Sequence, residues 1–197
     1  MQGSIIYDIA ENVYGTRELR YFETHLDKWR KVHKLLFNCG LQPPFVGYMI
    51  RELYYNRKPI FHSDGKQRRD YIYIDDLINL AIAVQKTEGF DCVNVSSNQN
   101  YSVNELYEIA CDIVGRKITA EYASDSHYWE KYPQLFNGIY KIRSEILNHE
   151  INKFTLADNS LAKEKYGWTP QVSITEGLKR VIDYEFALFD RLSHGKS

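Results

Sequence analysis

Residues 65–77, "GKQRRDYIYIDDL", set two adjacent arginines and an aspartate ahead of alternating aromatic and aliphatic residues, then close on an aspartate pair. The alternation from Arg69 to Ile74 has the period of two that marks a half-buried strand. Leu77, Ile78, Ala81, Ile82 and Val84 follow at the spacing of one helix face. A strand that turns straight into a helix is a building unit of α/β proteins. Asp75 is placed to cap the helix, and carboxylates there complement the positive end of its dipole. Adjacent residues at a helix start point apart, so the pair Asp75 and Asp76 reads as capping and not as a catalytic dyad. The same alternation separates the arginines, leaving Arg68 to solvent on the side opposite Arg69. Arg69 offers a rigid, permanently charged fork at a strand end, a match for phosphate oxygens.

Working outward, "KPIFH" (58–62) reads as a second strand joined through an Asp64–Gly65 turn. Upstream, "SIIYDIAENVYG" (4–15) begins as a strand-like run, and residues 18–38 carry Leu19, Phe22, Leu26, Trp29, His33 and Phe37 at helical spacing. A helix restarts near Pro44 and runs towards Tyr55, with Asn56 placed as a left-handed cap. Downstream, "CVNVSS" (92–97) reads as a short buried strand and "KITAEYA" (117–123) as another. "SVNE" (102–105) and "SITE" (173–176) are capping boxes that open helices, the first ending at Gly115. Ser160 to Tyr166 reads as a short helix closed by "GWTP", and the last amphipathic helix runs through Val181, Ile182, Phe186 and Phe189. Residues 124–153 are irregular and aromatic, in part helical. Strands alternating with helices indicate one α/β domain over residues 1–197.

Composition narrows the function classes. A net charge of −1 gives no whole-domain electrostatic footprint for nucleic acid, and "KWRKVHK" (28–34) reads as a solvated helix face. No apolar run approaches the ~20 residues of a membrane span, and no secretion signal opens the chain, so a cytoplasmic protein is expected. Three cysteines without a C-x-x-C spacing point to reduced thiols. Six scattered histidines without H-E-x-x-H give no metal site.

Four segments in one order carry a resemblance: "NVYGTR" (12–17), "DGKQRRDYIYIDDL" (64–77), "VNVSSNQNYSVNEL" (93–106) and "ADNSLAKEKYGWTPQVSITEGL" (157–178). Together they resemble the second half of the NAD-dependent epimerase/dehydratase family, extended short-chain dehydrogenases that rework nucleotide sugars. The resemblance implies the C-terminal portion of a Rossmann-type sheet plus a small mixed α/β substrate-binding lobe, with a UDP-sugar-like nucleotide sugar as partner. It gives Arg69 the diphosphate and Asn12 the phosphates or the sugar. Phe45 and Val46 fall where the family backbone meets the nucleotide base, and His62 where an aromatic residue packs on it. Local alternatives are a pairing of Arg69 with Asp70 or Asp75, an Asx-type turn at Asn12 and plain exposure of His62.

The family's chemistry rests on two motifs expected ahead of Asn12. One is a Gly-rich turn that lets a helix N-terminus approach the NAD diphosphate. The other is a Tyr-x-x-x-Lys helix whose lysine, with the nicotinamide charge, depresses the phenol pKa. The sequence has no G-x-G and no G-x-x-G. Its literal Tyr-x-x-x-Lys, Tyr54 and Lys58, follows "NVYG", and the lysine abuts Pro59 beyond the helix end. No catalytic and no cofactor-binding residue is therefore assigned: NAD belongs to the intact family enzyme and not to this chain alone. Ile9, Glu11, Thr16, Ser63 and Ser96 depart from the family pattern, and "SDSHYWEKYPQLF" (124–136) lacks its second phosphate-binding arginine. The expectation is the substrate-binding part of a nucleotide-sugar epimerase or dehydratase, inactive by itself. The alternative is a non-catalytic nucleotide-sugar binding or interaction module of the same descent. Either way, self-association through an open sheet edge, or a partner that supplies the N-terminal half, is expected.

Overall fold

The computed structural model describes residues 13–14, 45–84, 92–124 and 144–194. In chain order these hold β1 (Val13–Tyr14), α1 (Phe45–Tyr54), β2 (Ile60–Phe61), β3 (Arg68–Asp70), β4 (Ile72–Tyr73) and α2 (Ile74–Val84). There follow β5 (Asn100–Ser102), α3 (Val103–Val114), β6 (Glu121–Tyr122), α4 (Ser144–Ile151), α5 (Ser160–Tyr166) and α6 (Ile174–His194). β1 pairs in parallel with β4, β2 in parallel with β6, and β3 antiparallel with β5.

The strand expected over 69–74 divides at Tyr71, and its two halves serve different partners. Nor do β2 and β3 form a hairpin around Asp64–Gly65. Gly65 adopts the left-handed conformation, φ +73°, and its carbonyl accepts from Asn104 N at the start of α3 (3.1 Å). A Cβ on Gly65 would stand 1.9 Å from Asn104 Oδ1, so the glycine makes room for that side chain. The turn is claimed by a helix start, and each flanking strand pairs elsewhere. Residues 92–97 belong to no strand, because Ser96 and Ser97 spend their hydroxyls on Asp70. Of 117–123 only Glu121–Tyr122 is a strand.

The helix signals read from sequence hold well. Asn56 has φ 55°, two residues past the end of α1. Ser102 and Glu105 form both arms of the capping box, at 3.1 and 2.8 Å, and Gly115 closes α3 in the left-handed conformation. At α6, Ser173 Oγ accepts from Glu176 N (3.2 Å), while the Glu176 carboxylate takes Arg180 Nε at 2.8 Å.

Alternation along 71–73 separates two apolar clusters. Tyr71 and Tyr73 join α1, α3 and α6 in the main core, where Met49, Ile50, Leu53, Leu106 and Leu178 are fully buried. Each such side chain contributes about 1.5–3 kcal/mol. Ile72 faces the other way, towards Leu80, Ala162 and Trp168.

Asp76 corrects the capping assignment. α2 begins at Ile74, so Asp75 lies inside its first turn, while Asp76 is 1% exposed. Its carboxylate accepts the backbone N–H of Gln171 and of Val172, both at 3.0 Å, and its carbonyl accepts Trp168 Nε1 at 3.0 Å. A buried carboxylate has to find donors, and these lie in the loop before α6. The aspartate ties the loop to α2 instead of capping it. Cys92 and Cys111 are free thiols. Among the described residues no group of His, Cys, Asp or Glu could hold a metal ion, and no helix is long and apolar enough to cross a membrane.

Replacing Asp76 by alanine strands two backbone donors and should cost about 2–4 kcal/mol. Urea unfolding should show this, with red-shifted tryptophan emission as the seat of Trp168 loosens. A loss below about 0.5 kcal/mol, the range of ordinary surface changes, contradicts the tie.

On α6, burial pushes the Glu185 carboxyl up from 4.5 to about 7. The folded form holds the proton more tightly than the unfolded one, so this contribution is full below pH 4.5 and fades as pH rises through 7. Glu185→Gln should therefore gain about 2 kcal/mol over the parent at pH 8 and nearly nothing at pH 4.5. Equal stability of the two at pH 8 disproves it.

Candidate functional site

β3 is a three-residue strand bonded on both edges. One edge is β5, in the register Arg68↔Ser102, Arg69↔Tyr101 and Asp70↔Asn100. On the other, Arg68 N donates to Lys153 O (2.8 Å) and Arg68 O accepts from Thr155 N (3.0 Å), a parallel bridge that sets Phe154 opposite Arg68.

Arg68 is not left to solvent. Its Nε donates to Asn100 Oδ1 (2.8 Å) and its Nη2 to Asn100 O (3.0 Å), while Nη2 lies 2.8 Å from Glu105 Oε2. The Ser102 N–H, followed by Arg68, holds the Glu105 carboxyl below its usual range. The guanidinium is drawn in because the β5–α3 junction offers a carbonyl, an amide and a carboxylate together. Asp70 is engaged as fully. Its carboxylate accepts from Ser97 N (2.9 Å), Ser97 Oγ (2.7 Å), Ala157 N (3.3 Å) and Ser96 Oγ.

Arg68 and Asp70 thus occupy one face of β3. Alternation directs Arg69 to the other, the side of Tyr71 and the main core, with Tyr101 as its cross-strand neighbour. Arg69 is half-buried and its Nη1 is enclosed.

Phe45 opens α1 and packs edge-on against Phe61 of β2, ring centres 5.4 Å apart. Val46 is buried in the main core, so its offering to a ligand is backbone at a helix start. His62 directly follows Phe61, is half-buried and has Nδ1 enclosed. Phe45 and His62 are thereby brought to the end of β2, while Arg69 stands on a separate strand bordering the same core. The Ser63–Gln67 turn links the two strands, Ser63 Oγ donating to Gln67 Oε1 at 2.8 Å. Asn12 lies outside the described residues.

Tyr54 and Lys58 do not make a catalytic pair. The Tyr54 hydroxyl donates to Asp190 Oδ1 at 2.6 Å, a bond that pushes the phenol pKa up, and Lys58 Nζ lies 3.5 Å from Glu121. Three described glycines have a positive φ, and each has a local use. Gly65 accommodates Asn104, and Gly115 and Gly167 close helices.

Sequence reasoning missed the extended stretch that bridges to β3 at Phe154. Lys153, Thr155 and Ala157 are half-buried while Phe154, Leu156 and Asp158 are exposed, a period of two inside and just beyond a tract read as irregular. Between this stretch and α4 lies a cleft of about 500 Å³ lined by Glu145, Asn148, His149, Asn152, Lys153, Phe154 and Thr155.

Residues 46–181 match a family model described as GDP-mannose 4,6 dehydratase. A UDP-glucuronate 4-epimerase of Thermodesulfobacterium geofontis is 33% identical over 132 residues, 66% of this chain and 34% of that protein. A putative UDP-glucose 4-epimerase of Methanocaldococcus jannaschii is 27% identical over 146 residues, 74% of this chain and 39% of that protein. In fold, the chain is similar to the UDP-glucose 4-epimerase of Thermotoga maritima solved with UDP-glucose, with TM-score 0.55 and 23% identity over 74% of this chain and 38% of that one. It is similar also to the UDP-glucuronic acid 4-epimerase of Bacillus cereus solved with NAD, with TM-score 0.56 and 22% identity over 76% and 42%. The Rossmann-type class is thereby established, and the matches span between about a third and two fifths of these relatives.

Proposed function

Because the chain belongs to the GDP-mannose 4,6 dehydratase family of NAD-dependent nucleotide-sugar epimerases and dehydratases, we propose that it is the substrate-binding part of such an enzyme and takes no NAD by itself. The observation that carries this is the division of labour on β3. Arg68 and Asp70 are consumed in holding the strand, and Arg69 alone of the three is turned to the face shared with α1. A guanidinium fixed at that point meets the diphosphate of a UDP-sugar-like ligand. Backbone at Phe45 and Val46, with the His62 ring, meets the base, and Asn12 meets the phosphates or the sugar. In the whole enzyme NAD supplies hydride transfer at a sugar hydroxyl; the residues described here only bind and orient.

The second reading is a non-catalytic nucleotide-sugar binding or interaction module. It is favoured by the absence of any G-x-G turn from the sequence and by the bond between Tyr54 and Asp190. Both readings give the chain a protein partner, either a second copy or the segment that carries the cofactor turn.

Calorimetry should detect UDP-glucose and give no NAD binding tighter than about 100 μM, or −5.5 kcal/mol. Arg69→Ala should weaken UDP-glucose by about 2–3 kcal/mol, whereas Arg68→Ala should lower stability and leave the affinity of the folded protein within about threefold. NAD binding in the low micromolar range, or equal affinity losses from the two substitutions, would overturn the assignment. For the partner, light scattering at micromolar concentration should report a species larger than the 23.2 kDa chain, and a clean monomer speaks against self-association.

A further inference from the structure

The extended stretch over 153–157 is bonded along one edge only. Lys153 O accepts from Arg68 N, Thr155 N donates to Arg68 O, Thr155 O accepts from Asn100 Nδ2 (3.4 Å) and Ala157 N donates to Asp70 Oδ2 (3.3 Å). Backbone groups of an extended chain alternate in direction, so the N–H and C=O of Phe154 and of Leu156 point away from β3. Among the described residues no hydrogen bond holds any of these groups. The same two residues are 65% and 50% exposed, and Asp158, two positions further on, is exposed as well.

α4 forms the far wall of a groove along this edge. Glu145, Asn148, His149 and Asn152 are spaced i, i+3, i+4 and i+7, which puts them on one helix face. With Lys153, Phe154 and Thr155 they line the cleft of about 500 Å³. Consecutive strand residues point to opposite faces, so a cleft that all three of them line runs along the edge. An added strand lies about 4.8 Å from the edge it joins, which is inside this cleft. A second copy of the chain meets an obstacle, because α4 stands on the side from which its own edge would approach. Glu145 is exposed and forms no ion pair among the described residues. Two acids, Glu145 and Asp158, thus flank two apolar side chains.

We propose that this groove binds an extended segment of a partner protein, added as a strand to the 153–157 edge. The segment carries apolar side chains at alternate positions, set against Phe154 and Leu156, and a lysine or arginine that pairs with Glu145. The open backbone groups of Phe154 and Leu156 stand about 6.6 Å apart, two strand rises, and an extended polypeptide offers donors and acceptors at that repeat. Main-chain bonds supply the affinity of such a contact, and the apolar pair with the acid supplies its selectivity. No nucleotide sugar and no cofactor enters, so the contact stands apart from the function proposed above.

Random decapeptides displayed on phage and selected on the 197-residue chain supply the probes, and fluorescence anisotropy with the synthesised winners supplies their affinities. Selection should enrich two apolar residues two positions apart with a lysine or arginine beside them. Methylating the peptide nitrogen that faces the edge should weaken binding about tenfold or more, and methylating its neighbour, which faces away, less than about threefold. Phe154→Ser should weaken binding about tenfold, and Glu145→Gln about two- to fivefold, as an exposed ion pair does. Bound peptide should slow hydrogen exchange at the Phe154 and Leu156 amides. Melting curves check that each variant is folded, and the methylated peptides need no variant. Failure to enrich the alternating pattern, or equal losses from the two methylations, overturns the assignment. So does a dimer seen by light scattering without peptide that Phe154→Ser turns into a monomer, because a second copy then holds the edge.

Discussion

The carboxylate of Asp70 accepts hydrogen bonds from two places distant in sequence, the Ser96 hydroxyl with the backbone and hydroxyl of Ser97, and the backbone of Ala157. A three-residue strand has little ladder of its own, so its direction in space is set by what its side chains grip. Asp70 fixes the strand against 96–97 and 157, and Arg68 fixes it against Asn100 and Glu105. With both flanking residues held on one face, Arg69 has no freedom over which way it leaves the sheet. The geometry of the candidate site is therefore paid for by its neighbours in sequence.

The serines that depart from the family pattern belong to this scheme. Ser96 bonds Asp70 and the carbonyl of Ala157 (2.6 Å), and Ser63 Oγ accepts from Gly65 N (3.1 Å) while donating to Gln67. A glycine in either place would leave backbone or carboxylate to find another partner. Hydroxyl groups here replace conformational freedom by directed bonds, stiffening the two turns nearest the proposed ligand.

Much of the fold was legible in the sequence because its signals are local. Ser102 and Glu105, Gly115, Asn56 and the stretch from Ser160 to Gly167 each encode a helix end within a few residues, and each is found where expected. Pairing was not legible. Nothing within 58–74 says that β2 joins β6 or that β3 joins β5, because those choices are made by residues 30 to 60 positions away. Period-2 alternation likewise placed Arg68 and Arg69 on opposite faces but could not reveal the Asn100–Glu105 corner awaiting Arg68. Asp76 looked like a dipole partner because its two donors sit near residue 171. Of the residues proposed to meet a ligand, Arg69, Phe45 and His62 came from resemblance and strand logic, whereas the place of residues 153–155 beside β3 was not legible, because it is set by the backbone of Arg68 about 85 positions earlier.

The far end of α1 is fastened twice. Arg116 donates to the carbonyls of Leu53 and of Tyr54 (3.1 Å), and Glu52 accepts Arg57 through Nε (2.8 Å) and Nη2 (3.0 Å). The ten-residue helix is about 15 Å long, and Phe45 rides at its other end. That end is tied as well, since the Tyr48 hydroxyl accepts from Ile60 N at 2.8 Å and Val46, Met49 and Ile50 are buried in the main core. Fastened along its whole length, α1 acts as a fixed strut, and the spacing of Phe45 from Phe61 is set at both ends of the helix at once.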